Sequence, residues 1–254
     1  MSVLKKLEFP EAKFDLYFLG FDAPGAVSAG NNIWDRQGLI ELTHNYGTES
    51  DSSYKINNGN AEPHRGFGHT CVSVDNIQAA CARIEQAGYR FQKKLTDGRM
   101  RHIAFALDPD GYWVEIIGQK LLETTENITT TDTATYRMNH TMVRVKDAQK
   151  SLAFYQDVLG MTLVRTHEAA AAGFNLYFLG YGPAANGEST ADREGLLELT
   201  WNYGTEKDEA FSYHDGNKEP QGFGHICEFL VSDFLVCAFC LFFIFLEPAP
   251  LFPS

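Results

Sequence analysis

A chain of 254 residues is long enough for one large or two ordinary domains. Its formal charge of −12 excludes general nucleic-acid binding, which needs a basic face, and obliges any anionic ligand to find a local patch of Arg and Lys. Five cysteines without framework spacing read as the reduced thiols of a cytosolic protein, and the first 18 residues lack the apolar core of a secretory signal.

In chain order, the first informative run is FDLYFLG at 14–20, which returns as FNLYFLG at 174–180. The run ELTHNYGTE at 41–49 returns as ELTWNYGTE at 198–206, and GFGH at 66–69 returns at 222–225. The offset shrinks from 160 to 157 to 156, so the copies differ by small loop deletions. A period this long means duplicated domains, because solenoid repeats run roughly 20–50 residues. Polar residues repeat in register with apolar ones, which core packing alone does not require.

Residues 69–74 alternate as a strand, and 75–88 follow as an amphipathic helix. Its stripe is Ile77, Ala80, Cys81 and Ile84, its expected capping box is Asp75 with Gln78, and Gly88 stops it. Strands at 102–107 and 112–117 flank the turn Asp108-Pro109-Asp110-Gly111. The Thr-rich stretch 123–135 has no periodicity and reads as a linker. Beyond it come a strand at 139–145, a helix at 147–160 with Ala148, Leu152, Tyr155 and Leu159 inward, and strands at 175–179 and 196–202. Each unit runs strand, helix, then a meander of strands, an α+β fold of duplicated βαβββ modules. The expected domains are residues 1–120, lacking a first strand–helix–strand, and 137–227, lacking a last module, joined by a 121–136 linker. From 229 to 246 the chain is almost wholly apolar, either a divergent tail or a marginal membrane anchor.

Period-two logic places His140, Met142 and Arg144 on one strand face, and Glu198, Thr200 and Asn202 on another. Glu115 shares a face with Trp113 and Ile117, where a carboxylate is costly unless it is paired, ligated or protonated. A lone strand His or Glu is ordinarily a hydrogen-bonded or solvated residue. The chain has no HExxH motif and, outside the apolar tail, no CxxC pair. By the residues alone, the reading stops at a duplicated α+β protein with a His/Glu metal site as one option.

The runs NHTMVRVKD at 139–147, FYQDVLGM at 154–161, LELTWNYGT at 197–205, GFGH at 66–69 and DPDGYWVEI at 108–116 resemble glyoxalase I, of the vicinal-oxygen-chelate superfamily, in its two-domain fungal form. The resemblance covers roughly residues 5 to 227. It implies open barrel-like sheets and a metal held by one residue from each of four strands. Those positions are His140, Glu198, His69 and Glu115 here, with both modules of the cleft, 66–118 and 138–205, intact. Of a second cleft, only Glu41 and His225 remain.

The implied reaction is isomerisation of the methylglyoxal–glutathione hemithioacetal to S-D-lactoylglutathione. The implied cofactor is one zinc per chain, with nickel or cobalt also suited to such ligands. Glu115 is the expected proton shuttle and Glu198 the second catalytic carboxylate. Arg144, Asn202, Arg65 and Lys93 are the expected glutathione contacts. The implied protein is a cytoplasmic monomer; the alternatives are an inactive truncated fragment, a binding protein, or one anchored by its tail.

Overall fold

Alternation and turn glycines set the strands, and the computed structural model describes residues 1–98, 100–120, 129–183 and 189–227. Strands β1 (Ser2–Phe9), β2 (Phe14–Gly20) and β3 (Ile40–Asn45) form an antiparallel sheet in that order. Strands β4 (Phe67–Val74), β5 (Phe91–Lys93), β6 (Ile103–Leu107), β7 (Trp113–Gly118), β8 (Arg137–Val145), β9 (Thr162–Ala169), β10 (Phe174–Gly180) and β11 (Leu196–Asn202) form a second sheet. Its order is β5-β6-β7-β4-β8-β11-β10-β9. Helix α1 (Ile77–Gln86) follows β4, and α2 (Ala148–Ala153) follows β8.

The larger sheet contains two βαβββ modules that meet at the antiparallel pair β4/β8. Each module lays its last strand parallel to its first, β7 on β4 and β11 on β8. Such pairing needs a crossover connection, which α1 and α2 begin. The sheet does not close, and the architecture is the α+β arrangement read from the sequence.

Asn76, not Asp75, caps α1: its Oδ1 accepts the Ala79 N–H, while Asp75 accepts from the Thr131 hydroxyl and the Asp132 N–H. The carboxylate and the carboxamide stand on adjacent residues, and only Asn76 lies where the first free helix N–H groups point. Ile77, Ala80 and Cys81 pack with Val74, Ala104, Ile116, Tyr136 and Met138. Asp147 caps α2 by accepting from Gln149 and Lys150, and the helix continues as a π turn over Phe154–Val158. Met161, Leu179, Leu197 and Leu199 form the core beneath it, with Leu152, Tyr155 and Leu159 packed against them.

The structure corrects a further expectation. The first half does not lack the strand before β2: Ser2–Phe9 forms β1, which pairs β2 as β9 pairs β10, with a register shift in each pair. Lys5, Lys6 and Glu8 interrupt its apolar residues on a half-exposed strand, so neither an apolar run nor a clean alternation marked it. Near the end of the Thr-rich stretch read as a linker, the Thr131 hydroxyl bonds Asp75 and the Tyr136 hydroxyl.

A clasp that the sequence reading did not register joins the two halves. The Asn57 N–H donates to the Gln221 carbonyl at 2.9 Å, and the His214 N–H donates to the Arg65 carbonyl at 2.7 Å. Phe67 stacks on Phe223 with ring centres 4.2 Å apart. A side chain at Gly66 would strike the His214 carbonyl, and one at Gly222 would strike that of Asn57. Glycine is required at both crossings because backbone meets backbone there.

Residues Met1–Gly224 form one compact unit; His225 begins another, of which 225–227 are described and exposed. The apolar stretch 229–246 lies outside the described residues. Among the described residues, no helix is long and apolar enough to cross a membrane.

Candidate metal centre

The four strands β7, β4, β8 and β11 are consecutive neighbours, and each contributes one side chain to a common point. Glu115 stands on β7, His69 on β4, His140 on β8 and Glu198 on β11, and all four are buried. One ligand atom from each lies within 4.8 Å of all the others. The strand register brings them there: Cys71 faces both Glu115 and His140, while Met142 faces both His69 and Glu198. Gly68 lets β4 approach β8 closely, since a side chain there would meet the Met142 thioether.

The His140 Nε2 lies 3.0 Å from Glu198 Oε2 and 3.2 Å from Glu115 Oε2. The His69 Nε2 lies 3.3 Å from Glu115 Oε2, 3.9 Å from Glu198 Oε2 and 3.3 Å from His140 Nε2. Ligands about 2.1 Å from a tetrahedral zinc are separated by roughly 3.4 Å, so these spacings fit such an ion. Phe105 packs edge-on to His69 and Phe178 edge-on to His140, walling the cluster with aromatic carbon.

Two buried carboxylates and two imidazole nitrogens facing one another demand positive charge. In the apo cluster that demand falls on protons. Burial alone would raise the Glu115 carboxyl, but His69 and His140 more than offset it and hold the group well below the usual carboxylate range. Burial opposes charging His140, whereas Cys71, Glu115 and Glu198 favour it, and the net direction is upward. Burial pushes the Cys71 thiol up to about 12, so it stays neutral and the two carboxylates supply the attraction. The donor set, two imidazoles and two carboxylates, suits a divalent cation at the same point.

The remaining expected residues are placed as follows. Arg144 turns its guanidinium into the 59–67 segment, where Nη1 donates to the carbonyls of Gly59, Gly66 and Phe67, and Nη2 to Asn60 Oδ1. Burial, with Arg65 nearby, brings its pKa down to about 10, so it remains a cation at neutral pH. The Asn202 amide donates to the Tyr213 hydroxyl at 2.8 Å. The Lys93 ammonium donates to the carbonyls of Lys94, Met100 and Ile103. Arg65 has a 3.4 Å contact from Nη1 to Glu62, while its buried Nε has no partner. Glu41 is exposed on β3, which among the described residues pairs on one side only, and His225 is exposed as well. Neither joins a cluster of three or more metal-ligating side chains among the described residues.

One residue of the site escaped the sequence reading. Asn139 is 1% exposed and its Oδ1 accepts from His140 Nδ1 at 2.8 Å. The available signal was an amide beside His140 in a strand that also carries Met138, Met142 and Val143.

The model of the Glyoxalase/Bleomycin resistance protein/Dioxygenase superfamily matches residues 18–116 and 137–233. Glyoxalase I of Saccharomyces cerevisiae is 49% identical over 235 residues, which span 89% of this chain and 69% of the yeast protein. The chain belongs to the glyoxalase I family. A lactoylglutathione lyase of Schizosaccharomyces pombe is 47% identical over 228 residues, spanning 89% of this chain and 72% of its own. Among solved structures, glyoxalase I from Zea mays superposes with a TM-score of 0.56 at 29% identity, covering 80% of this chain but only 59% of the maize chain. The two segments matched by the family model correspond to the two copies of the motif set.

Proposed function

We propose that the protein is a zinc-dependent lactoylglutathione lyase that isomerises the methylglyoxal–glutathione hemithioacetal to S-D-lactoylglutathione in one cleft. The observation that carries this reading is the convergence of His69, Glu115, His140 and Glu198 from four adjacent strands within 4.8 Å. In this reading two glyoxalase domains, in residues 1–120 and 137–227, act together as a cytoplasmic monomer.

His69, Glu115, His140 and Glu198 would hold the zinc, which when bound supplies Lewis acidity to the neighbouring oxygens of the substrate. The isomerisation moves the carbon-bound proton from the carbon carrying sulfur and hydroxyl to the adjacent carbonyl carbon, and the hydroxyl proton to the former carbonyl oxygen, with no net gain or loss of electrons. The two carboxylates flank the imidazole pair, one from β7 and one from β11. The Thr200 hydroxyl engages Glu198 Oε1 at 3.3 Å, so Glu115 is assigned the proton shuttle and Glu198 the second carboxylate. Phe105, Trp113 and Phe178 exclude water from that transfer. Glutathione is anionic, and Arg65 offers an unpartnered buried donor for one of its carboxylates. Arg144, Asn202 and Lys93 would reach the substrate only by exchanging their present partners.

The test is thioester formation from methylglyoxal and glutathione by purified protein, with metal content measured alongside. Turnover with one zinc per chain, cut by about 10²–10⁴ in Glu115→Gln, is expected. A folded protein that takes up no metal and gives no thioester overturns the reading.

A further inference from the structure

The Asn139 side chain makes three of the four hydrogen bonds open to it, with both donor hydrogens in use. Its Nδ2 donates to the Thr190 carbonyl and to the Arg193 carbonyl, each at 2.8 Å, while Oδ1 accepts from His140 Nδ1. An amide nitrogen has two hydrogens, and two carbonyls take both. The amide therefore has one workable orientation, because the reverse would set its oxygen against two carbonyl oxygens. With Oδ1 fixed toward the imidazole, His140 Nδ1 must carry a proton, and Nε2, which faces the cluster, is the nitrogen that gives up its proton to offer a lone pair to a cation.

The turn that supplies those carbonyls is itself bolted to β8. The Gly195 N–H donates to the Met138 carbonyl at 3.1 Å, the Arg193 N–H to Thr190 at 3.2 Å, and Arg137 Nη1 to the Asp192 carbonyl. Arg193 Nη2 donates to the Tyr181 carbonyl at 2.7 Å, tying the turn to the end of β10 as well.

We propose that Asn139 is a positioning residue through which the 190–195 turn sets the His140 tautomer and so prepares Nε2 as a metal ligand. This rests on the reading of the four-residue cluster as a metal centre. Asn139 touches neither substrate nor metal; it acts through the imidazole. Partners of this kind tune a ligating histidine, and their removal costs roughly 10–100-fold in metal affinity. Coupling is reciprocal, so loading the metal must in turn stabilise the turn.

The experiment compares zinc affinity of the unmodified protein and Asn139→Leu by chelator competition, with near-UV circular dichroism of the metal-free forms as a check on folding. It also follows amide exchange at Ala191, Arg193 and Gly195 of the unmodified protein with and without zinc. Expected are about 10–100-fold weaker binding in the variant and slower exchange on loading in the unmodified protein. A folded variant that binds zinc as tightly as the unmodified protein overturns the proposal while leaving the metal centre intact. Should the variant fail to fold, exchange in the unmodified protein decides: no zinc-dependent slowing overturns the relay. An unmodified protein that binds no zinc overturns the metal centre itself, and the relay with it.

Discussion

The strands β3 and β11 carry nearly the same sequence, IELTHN against LELTWN, and lie in different surroundings. Strand β11 has β10 on one side and β8 on the other, whereas among the described residues β3 pairs with β2 alone. The consequence appears residue by residue. Leu42 is 48% exposed where its counterpart Leu199 is 0% exposed, and Glu41 is solvated where Glu198 is buried beside two imidazoles. A motif therefore specifies a strand and the order of its side chains; the neighbouring strand decides whether a glutamate becomes part of a site.

The contrast is sharpest in activity. Glu198→Gln is expected to lower thioester formation by about 10²–10⁴, and Glu41→Gln to leave it within about twofold, in steady-state assays of both variants. Equal losses would break the comparison. Stability comes next: Leu199→Ala should cost about 2–5 kcal/mol in urea unfolding, and Leu42→Ala no more than about 0.5 kcal/mol. Metal removal gives a smaller but separable effect. Zinc at about 100 times its dissociation constant should stabilise the unmodified protein and Glu41→Gln by ~2.7 kcal/mol, and Glu198→Gln by much less.

The mildest test concerns the cysteines that follow the two GFGH runs. Only the thiolate is nucleophilic, and a thiol held near 12 has about 10⁻⁴ of its population ionised at pH 8. Cys71 should resist iodoacetamide in the folded protein, with alkylation rising only as the pH climbs toward 12, while exposed Cys227 should react at pH 8. Peptide mapping after a timed reaction reads both sites, and rapid labelling of Cys71 in folded protein would contradict its burial.

Much of this was legible in the chain because strand periodicity is a local property. Glu115 among Trp113 and Ile117 announced a carboxylate in need of partners, and its two imidazole neighbours supply them. Both helices lie where their stripes put them. What was not legible depended on geometry without a period. The capping residue moved from Asp75 to Asn76, a shift of one position that only backbone direction settles. Strand β1 escaped because its charged residues hide a strand whose sides are both partly wet. Arg144 shares a face with His140, as expected, yet its donors go to carbonyls brought near by the clasp, a contact between segments about 80 residues apart in the chain. The Asn139 relay needed the position of a turn roughly 50 residues downstream.

The β4/β8 junction, with β7 and β11 outside it, is the arrangement that two identical subunits would adopt about a twofold axis, built here within one polypeptide. Linking the two contributors covalently holds the second pair of ligands at an effective concentration set by the tether, independent of how much protein is present. Dilution that would separate a weak dimer leaves the four side chains together. At a fixed concentration of free zinc, specific activity and metal content per chain should therefore stay constant from micromolar down to nanomolar protein.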